Sequence, residues 1–188
     1  MTFWSSVFLL SGMLLTGCSW LTEKEGEVYR LQDMQVLPQQ QWYLEGRLAL
    51  ADERDSISAS VSWRHRLYRD DIELSGPLAQ GKLVISVAAD LVTVDDGDTR
   101  KEFSGPAEQI LSEQLGVAIP LNAMKYWVVG MPDPDQSFVE QVGGFLQAGW
   151  HVGFREMQRV NTLVLPRKIN AEKDKTKIKL VVDQWDLS

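Results

Sequence analysis

The chain has 188 residues, room for about one domain. Nineteen Lys and Arg against 26 Asp and Glu give a net charge of −7, which speaks against a general nucleic-acid binder, because such proteins present a basic face. Hydrophobic residues make up 44% and charged residues 24%, so the composition is that of a folded chain, and one cysteine excludes an internal disulfide framework or a Cys-rich metal site.

Residues 1–17 are uncharged and largely apolar, and no charged side chain precedes Glu23. The run is too short to span a bilayer, which takes about 20 residues. It suits the apolar part of an export signal, although it lacks a basic start. It ends in Leu15-Thr16-Gly17-Cys18. A small residue followed by the chain's single Cys resembles the bacterial lipoprotein signal, and the Cys18 thiol is the group that could carry a thioether-linked diacylglycerol. The mature chain is then 18–188. In such signals a Ser after the Cys, here Ser19, goes with sorting to the outer membrane.

Residues 18–40 read as a lipidated tether leading into a short helix near Val28 to Leu37, stopped by Pro38. From Gln41 the pattern turns to β. Trp42, Leu44, Leu48 and Leu50 share one parity. In Ser56 to Trp63, Ile57, Ala59, Val61 and Trp63 alternate with four serines, so one face is buried and the other wet. Tyr68 to Leu74, Lys82 to Ala88 and Leu91 to Asp95 continue the meander, and Asp96-Gly97 marks a hairpin turn.

The period then changes. Pro106 to Gly116 carries Ile110, Leu111 and Leu115 at helical spacing, with Gly116 as a stop. Leu121 to Val129 gives a second short helix, and Met131 to Asp135 a Pro-rich loop. Strands return at His151 to Met157, Thr162 to Lys168 and Lys177 to Trp185. Strands, then helices, then strands predict one antiparallel sheet with a helical insertion over one face.

The chain lacks GxGxxG, Walker, His-Glu-x-x-His and nucleophile-elbow motifs, so nothing points to an enzyme, a cofactor or a metal. His65 and His151 read as half-exposed strand residues. Asp70 and Asp71 read as a solvated turn, since neighbours on a strand face opposite ways and could not share a substrate. Asp95-Asp96-Gly97-Asp98 is a turn with too few ligands for a calcium loop. The basic run from Arg167 through Lys179 reads as a solvated hairpin, or less directly as a docking face for an acidic partner or lipid headgroups. What remains is the apolar inventory. Trp42, Trp63, Trp127, Trp150 and Trp185 fall on inward parities, which fits an ordinary core or a curved sheet whose concave face is partly unfilled.

Several segments together resemble the LolB family of outer-membrane lipoprotein receptors. They are Trp42 to Leu50 with Gly46-Arg47, Ser62-Trp63, Tyr68 through Ser75-Gly76-Pro77-Leu78, Ile119-Pro120-Leu121, Tyr126 to Pro132, Gly149 to Val152, Leu165 to Ile169, Ile178 to Leu180 and Gln184-Trp185. They run in order along the mature chain; Ala79 stands where the family usually has Gly. The resemblance implies an unclosed antiparallel β-barrel, a half-barrel, over 41–188, with a helical lid over an apolar cavity. Candidate cavity residues are Trp42, Trp63, Ile110, Leu111, Leu115, Trp127 and Trp150. It implies a monomer that takes acylated lipoproteins from a LolA-like periplasmic carrier and inserts them into the inner leaflet of the outer membrane, with Pro77 and Leu78 forming the loop that meets the bilayer. The physics fits. Three chains of about sixteen carbons, at roughly 0.8 kcal/mol per buried methylene, would cost on the order of 36 kcal/mol to expose to water, so unaided diffusion is closed. The alternative is a structural or envelope-assembly lipoprotein with a dry core.

Overall fold

The computed structural model describes residues 29–31, 34, 41–53, 56–76 and 81–187. Cys18, Pro77 and Leu78 lie outside the described residues, as does most of the expected helix near Val28 to Leu37.

Alternation dominates the local structure. The strands are β1 (Trp42–Ala51), β2 (Ser56–Arg66), β3 (Arg69–Ser75), β4 (Lys82–Ala88), β5 (Leu91–Asp95) and β6 (Arg100–Ser104), then β7 (Phe138–Gln141), β8 (Gly144–Gln147), β9 (Trp150–Val160), β10 (Leu163–Lys173) and β11 (Thr176–Leu187). Two helices, α1 (Ala107–Leu115) and α2 (Leu121–Trp127), lie between β6 and β7. Among the described residues the sheet has eleven strands in the order β6-β5-β4-β3-β2-β1-β11-β10-β9-β8-β7, every neighbour antiparallel. The barrel is unclosed: β6 and β7 are the two edges, and the helices connect them. Both edges are short and mostly exposed, and Arg100, Lys101, Glu102 and Glu140 place charge on them, which discourages edge-to-edge pairing.

The sheet bends where β1 meets β11. The register shifts between Glu45 and Gly46, and a side chain at Gly46 would put its Cβ 2.1 Å from the Val181 carbonyl oxygen. Glycine permits that close approach. On β10, Pro166 has no N–H to give the ladder, and the register with β9 shifts there. Inward side chains of β1 to β5 and β8 to β11 form one core with the apolar faces of the helices.

The helical insertion follows its sequence signals. Pro106 precedes α1, and Gly116 ends it with φ of 73° as its N–H bonds to Ser112 O at 3.0 Å. Three strands escaped the pattern reading. β6, β7 and β8 are four or five residues long, too brief for alternation to register. The expected strand Thr162 to Lys168 runs on to Lys173, and His151 to Met157 runs on to Val160.

Two expectations about charged residues are corrected. Asp70 and Asp71 are on β3, not in a turn. They do face opposite ways. Asp71 pairs outward with Arg66 (3.0 Å) and Arg69 (2.8 Å), whereas Asp70 turns in to accept from Trp63 Nε1 at 2.8 Å and lies 2.8 Å from His65 Nδ1. The hydrogen bonds of Asp71 and its two arginines hold its carboxyl below the usual carboxylate value against the opposing effect of burial. His65 is accordingly buried rather than half-exposed, stacked on Trp42 at 5.0 Å, and His151 is exposed. The inward parity of β2 runs one pair beyond Trp63 and takes His65 with it. The basic run is a hairpin whose cations meet local acids: Arg167 and Lys168 pair with Glu156, Lys175 with Glu53, and Lys177 with Glu172.

Candidate functional site

Beneath the helices is an enclosed apolar cavity. Its floor is Leu48 on β1, Val61 and Trp63 on β2, Ile72 and Leu74 on β3, Ile85 on β4 and Leu180 on β11. Its roof is Leu111 and Leu115 of α1, Ile119 of the connector, and Leu121 and Met124 of α2. Period-two alternation supplies the floor, since these strand residues sit on the lid-facing parity. Helical spacing supplies the roof, since Leu111 and Leu115 are one turn apart.

The free space is about 40 Å³. That is little more than one water's share of liquid volume and far below the roughly 300 Å³ at which small-molecule sites begin. The lining holds no titratable group, and the one polar atom among its side chains, Trp63 Nε1, donates to Asp70. Nothing there could fix a ligand's orientation by hydrogen bonding or move a proton. The arrangement suits a nonspecific hydrocarbon occupant, admitted only when roof and floor part.

The residues expected at a cavity divide. Trp63, Leu111 and Leu115 are on its lining. Ile110 is buried on α1 outside the lining. Trp42 is buried at the end of β1, in T-shaped contact with Trp63 (5.2 Å) and Trp185 (5.7 Å). Trp127 and Trp150 pack on each other at 5.9 Å, where α2 meets the β8–β9 hairpin. Sequence reasoning missed floor and roof residues that their parity would have given, notably Leu48, Ile72, Ile85 and Ile119.

A polar cluster holds the far end of α2. Trp127 Nε1 donates to Gln147 Oε1 at 2.9 Å, and the Asp133 N–H donates to the same oxygen at 2.9 Å. Gln147 Nε2 donates to Asp133 O (2.9 Å) and Gln136 O (3.1 Å). Gln147 is 1% exposed, and three of the four bonds are buried, the one to Gln136 O lying nearer the surface. Tyr29 of the N-terminal segment adds a clamp. Its hydroxyl donates to Gly130 O at 3.0 Å, and its ring lies 4.2 Å from Phe154. Burial, helped by the charge of Glu140, pushes the Tyr29 phenol well above its usual value.

The β3–β4 hairpin is closed at its base, where Gly76 N–H donates to Gly81 O at 3.2 Å. Pro77 and Leu78 fall between these two anchors, outside the described residues.

Residues 40–185 match the model of the family described as outer membrane lipoprotein LolB. The chain belongs to the LolB family. An outer-membrane lipoprotein LolB of Chromohalobacter salexigens is 31% identical over 87% of this chain and 76% of its own. One from Nitrosococcus oceani is 27% identical over 97% and 96%. Among solved structures, a LolA superfamily protein from Nitrosomonas europaea shares the fold, with a TM-score of 0.55 and 9% identity over 84% of this chain and 90% of that one. The lid, the connector Ile119-Pro120-Leu121 and the Gln147 cluster all lie inside the matched LolB region.

Proposed function

We propose that this LolB-family protein is an outer-membrane-anchored lipoprotein receptor, which accepts acylated lipoproteins from a periplasmic carrier and delivers them to the outer membrane. The observation that carries the reading is the wholly apolar, enclosed cavity between an unclosed sheet and a two-helix lid. An acyl chain needs several times the free space present, so binding requires the lid to lift. The lid–floor contacts are apolar and nondirectional, so they can be replaced by acyl methylenes at little net cost. Transfer then runs downhill without nucleotide, from carrier to cavity to bilayer.

Cys18 is the acylation site in this reading, and residues 1–17 are removed. Intact-mass measurement on membrane-extracted protein checks it; an unmodified chain retaining Met1 would count against it. Leu78, in the segment between β3 and β4, is the membrane contact in this reading. The cavity test is binding of a palmitoylated peptide, read by tryptophan emission through Trp63. Saturating peptide should shift the emission. No binding and no shift would leave the alternative, a lipoprotein with a permanently dry core. In a two-step assay, Leu78→Glu should accept lipoprotein normally and fail to insert it into liposomes, because a carboxylate resists the acyl layer. Normal insertion by this variant would overturn the role of Leu78.

A further inference from the structure

A second pocket adjoins the cavity. It is open to solvent, about 270 Å³, and bounded by Glu108 of α1, Ala118, Ile119 and Pro120 of the connector, Trp150 of β9, and Lys173, Asp174 and Thr176 at the β10–β11 turn. Ile119 is the one residue on the lining of both spaces. Its half-buried side chain is therefore the partition between them. The connector is bounded by two residues that interrupt regular backbone pairing. Gly116 leaves α1 in the left-handed region, and Pro120, which has no N–H to hold it to a neighbour, opens α2. Across Pro120, the Leu121 N–H donates to Ile119 O at 2.9 Å, a bond made within the connector rather than to the sheet.

The two spaces differ in chemistry. The inner one is apolar throughout; the outer has an indole wall and a rim where the Lys173 ammonium stands with Thr176 and the carboxylates of Glu108 and Asp174. Lys173 is held in place there. Its Nζ donates to Ala148 O at 3.0 Å and lies over Gly149, where any Cβ would stand 3.3 Å from Lys173 Cε. Two further ammonium hydrogens are left for an acceptor.

We propose that this pocket is the doorway of the acyl cavity and the seat of the ligand's polar head. Ile119 swings aside to pass the hydrocarbon chains, and the glyceryl ester and first peptide carbonyls of a diacylglyceryl-cysteine stay outside against Lys173 and Thr176. The inference rests on the lipoprotein-receptor reading above and adds to it which side of the lid opens and which residues meet the head.

The experiment measures association and dissociation of two fluorescent probes by stopped flow, a dipalmitoylglyceryl-Cys-Ser-Ser peptide and a headless hexadecyl chain. Ile119→Ala should speed association and dissociation of both probes together, by about tenfold, with the equilibrium constant nearly unchanged, as a lowered gate does. Ile119→Trp should slow both. Lys173→Gln should weaken the lipopeptide by about tenfold and leave the hexadecyl chain unaffected, which a merely structural lysine would not do. If both probes bind the wild type and the Ile119 variants leave both rates unchanged, or change dissociation alone, passage lies elsewhere and the doorway is wrong. Equal weakening of both probes by Lys173→Gln removes the head-group seat. Failure of either probe to bind the wild type overturns the receptor reading itself, and this inference with it.

Discussion

The two ends of the lid are held by different forces. Over β1 to β4, the helices and the connector face the sheet across a void lined by Leu, Ile, Val, Met and Trp side chains. At the end of α2, Trp127 and the loop through Asp133 are held by four hydrogen bonds to Gln147, three of them buried, with Tyr29 closing on Gly130 beside them. Dispersion and hydrophobic contacts have no preferred direction, so one apolar partner can replace another. Hydrogen bonds fix distance and angle, and a buried one that is broken costs the desolvation of both groups. In the lid opening proposed above, the apolar end is the part that yields and the hydrogen-bonded end is the pivot. A contact crosses between the helices as well: the Asn122 N–H donates to Glu108 Oε1 at 3.0 Å, which ties the start of α2 to α1 so that the two move as a unit.

The strongest way to break this contrast is at the pivot. Gln147→Leu keeps the volume but leaves Trp127 Nε1, the Asp133 N–H and the Asp133 carbonyl buried and unpaired, and removes the bond to Gln136 O nearer the surface. At about 1–3 kcal/mol for each unsatisfied group, partly relieved by relaxation, a loss of about 4 kcal/mol is expected in urea unfolding. A loss below about 1 kcal/mol would mean the cluster is not the pivot.

The yielding end should respond less. Leu111→Ala removes a buried roof side chain and enlarges an existing void, with a loss of about 3 kcal/mol. Palmitoyl-peptide binding should survive, because the occupant fills the new space. Loss of binding with stability unchanged would contradict a nondirectional site.

The Tyr29 clamp offers a finer test through pH. Tyr29→Phe removes one buried hydrogen bond, about 1 kcal/mol near neutrality. The sign of the pH effect follows from the raised phenol. The folded state keeps the proton to higher pH than the unfolded chain, which releases it near 10.0, so the contribution is complete below that pH and lost as pH rises toward and through the folded value. Stability of the wild type should therefore fall more steeply than that of Tyr29→Phe between about pH 9 and pH 11, measured as urea midpoints. Parallel curves would show that Tyr29 is not buried in its un-ionised form.

The smallest effect belongs to the solvent face. Arg47 and Asp183 pair at 3.0 Å with side chains 65% and 46% exposed. Arg47→Ala should change stability by no more than about 0.5 kcal/mol. A larger loss would mean that the solvent face of β1, not only the lid side, holds the sheet in shape.

Much of this was legible in the sequence because side-chain alternation is a local property. Strict alternation from Ile57 to Trp63 fixed which face of β2 is buried before any partner strand was known. Gly116 and the prolines at 106 and 120 marked both helices within a residue or two. The order of the LolB-like segments identified the family, and the solvent-facing serines and the hairpin at Asp96-Gly97 followed from chemistry within a few residues. The short strands β6, β7 and β8 were not legible, because they become strands through the neighbours they bond, and four or five residues carry little pattern. The turns at Ala89 and Ala148 were hidden for a related reason. Both adopt positive φ although alanine carries no turn signal, since the flanking ladders impose the conformation.

The sequence by itself determined the strand–helix–strand order, the buried parities and the family. The tertiary structure alone decided which tryptophans meet a cavity. Trp63 lines it, whereas Trp127 and Trp150 pack beside Gln147 and Trp42 is stacked on His65. All four are apolar residues on inward faces, and their sequence neighbourhoods cannot separate them. A void arises where two curved surfaces fail to meet, and that depends on the bend at Gly46, the unpaired edges and the packing of the lid over eleven strands at once. Inwardness belongs to a residue and its neighbours along the chain; a gap belongs to the distance between surfaces far apart in it.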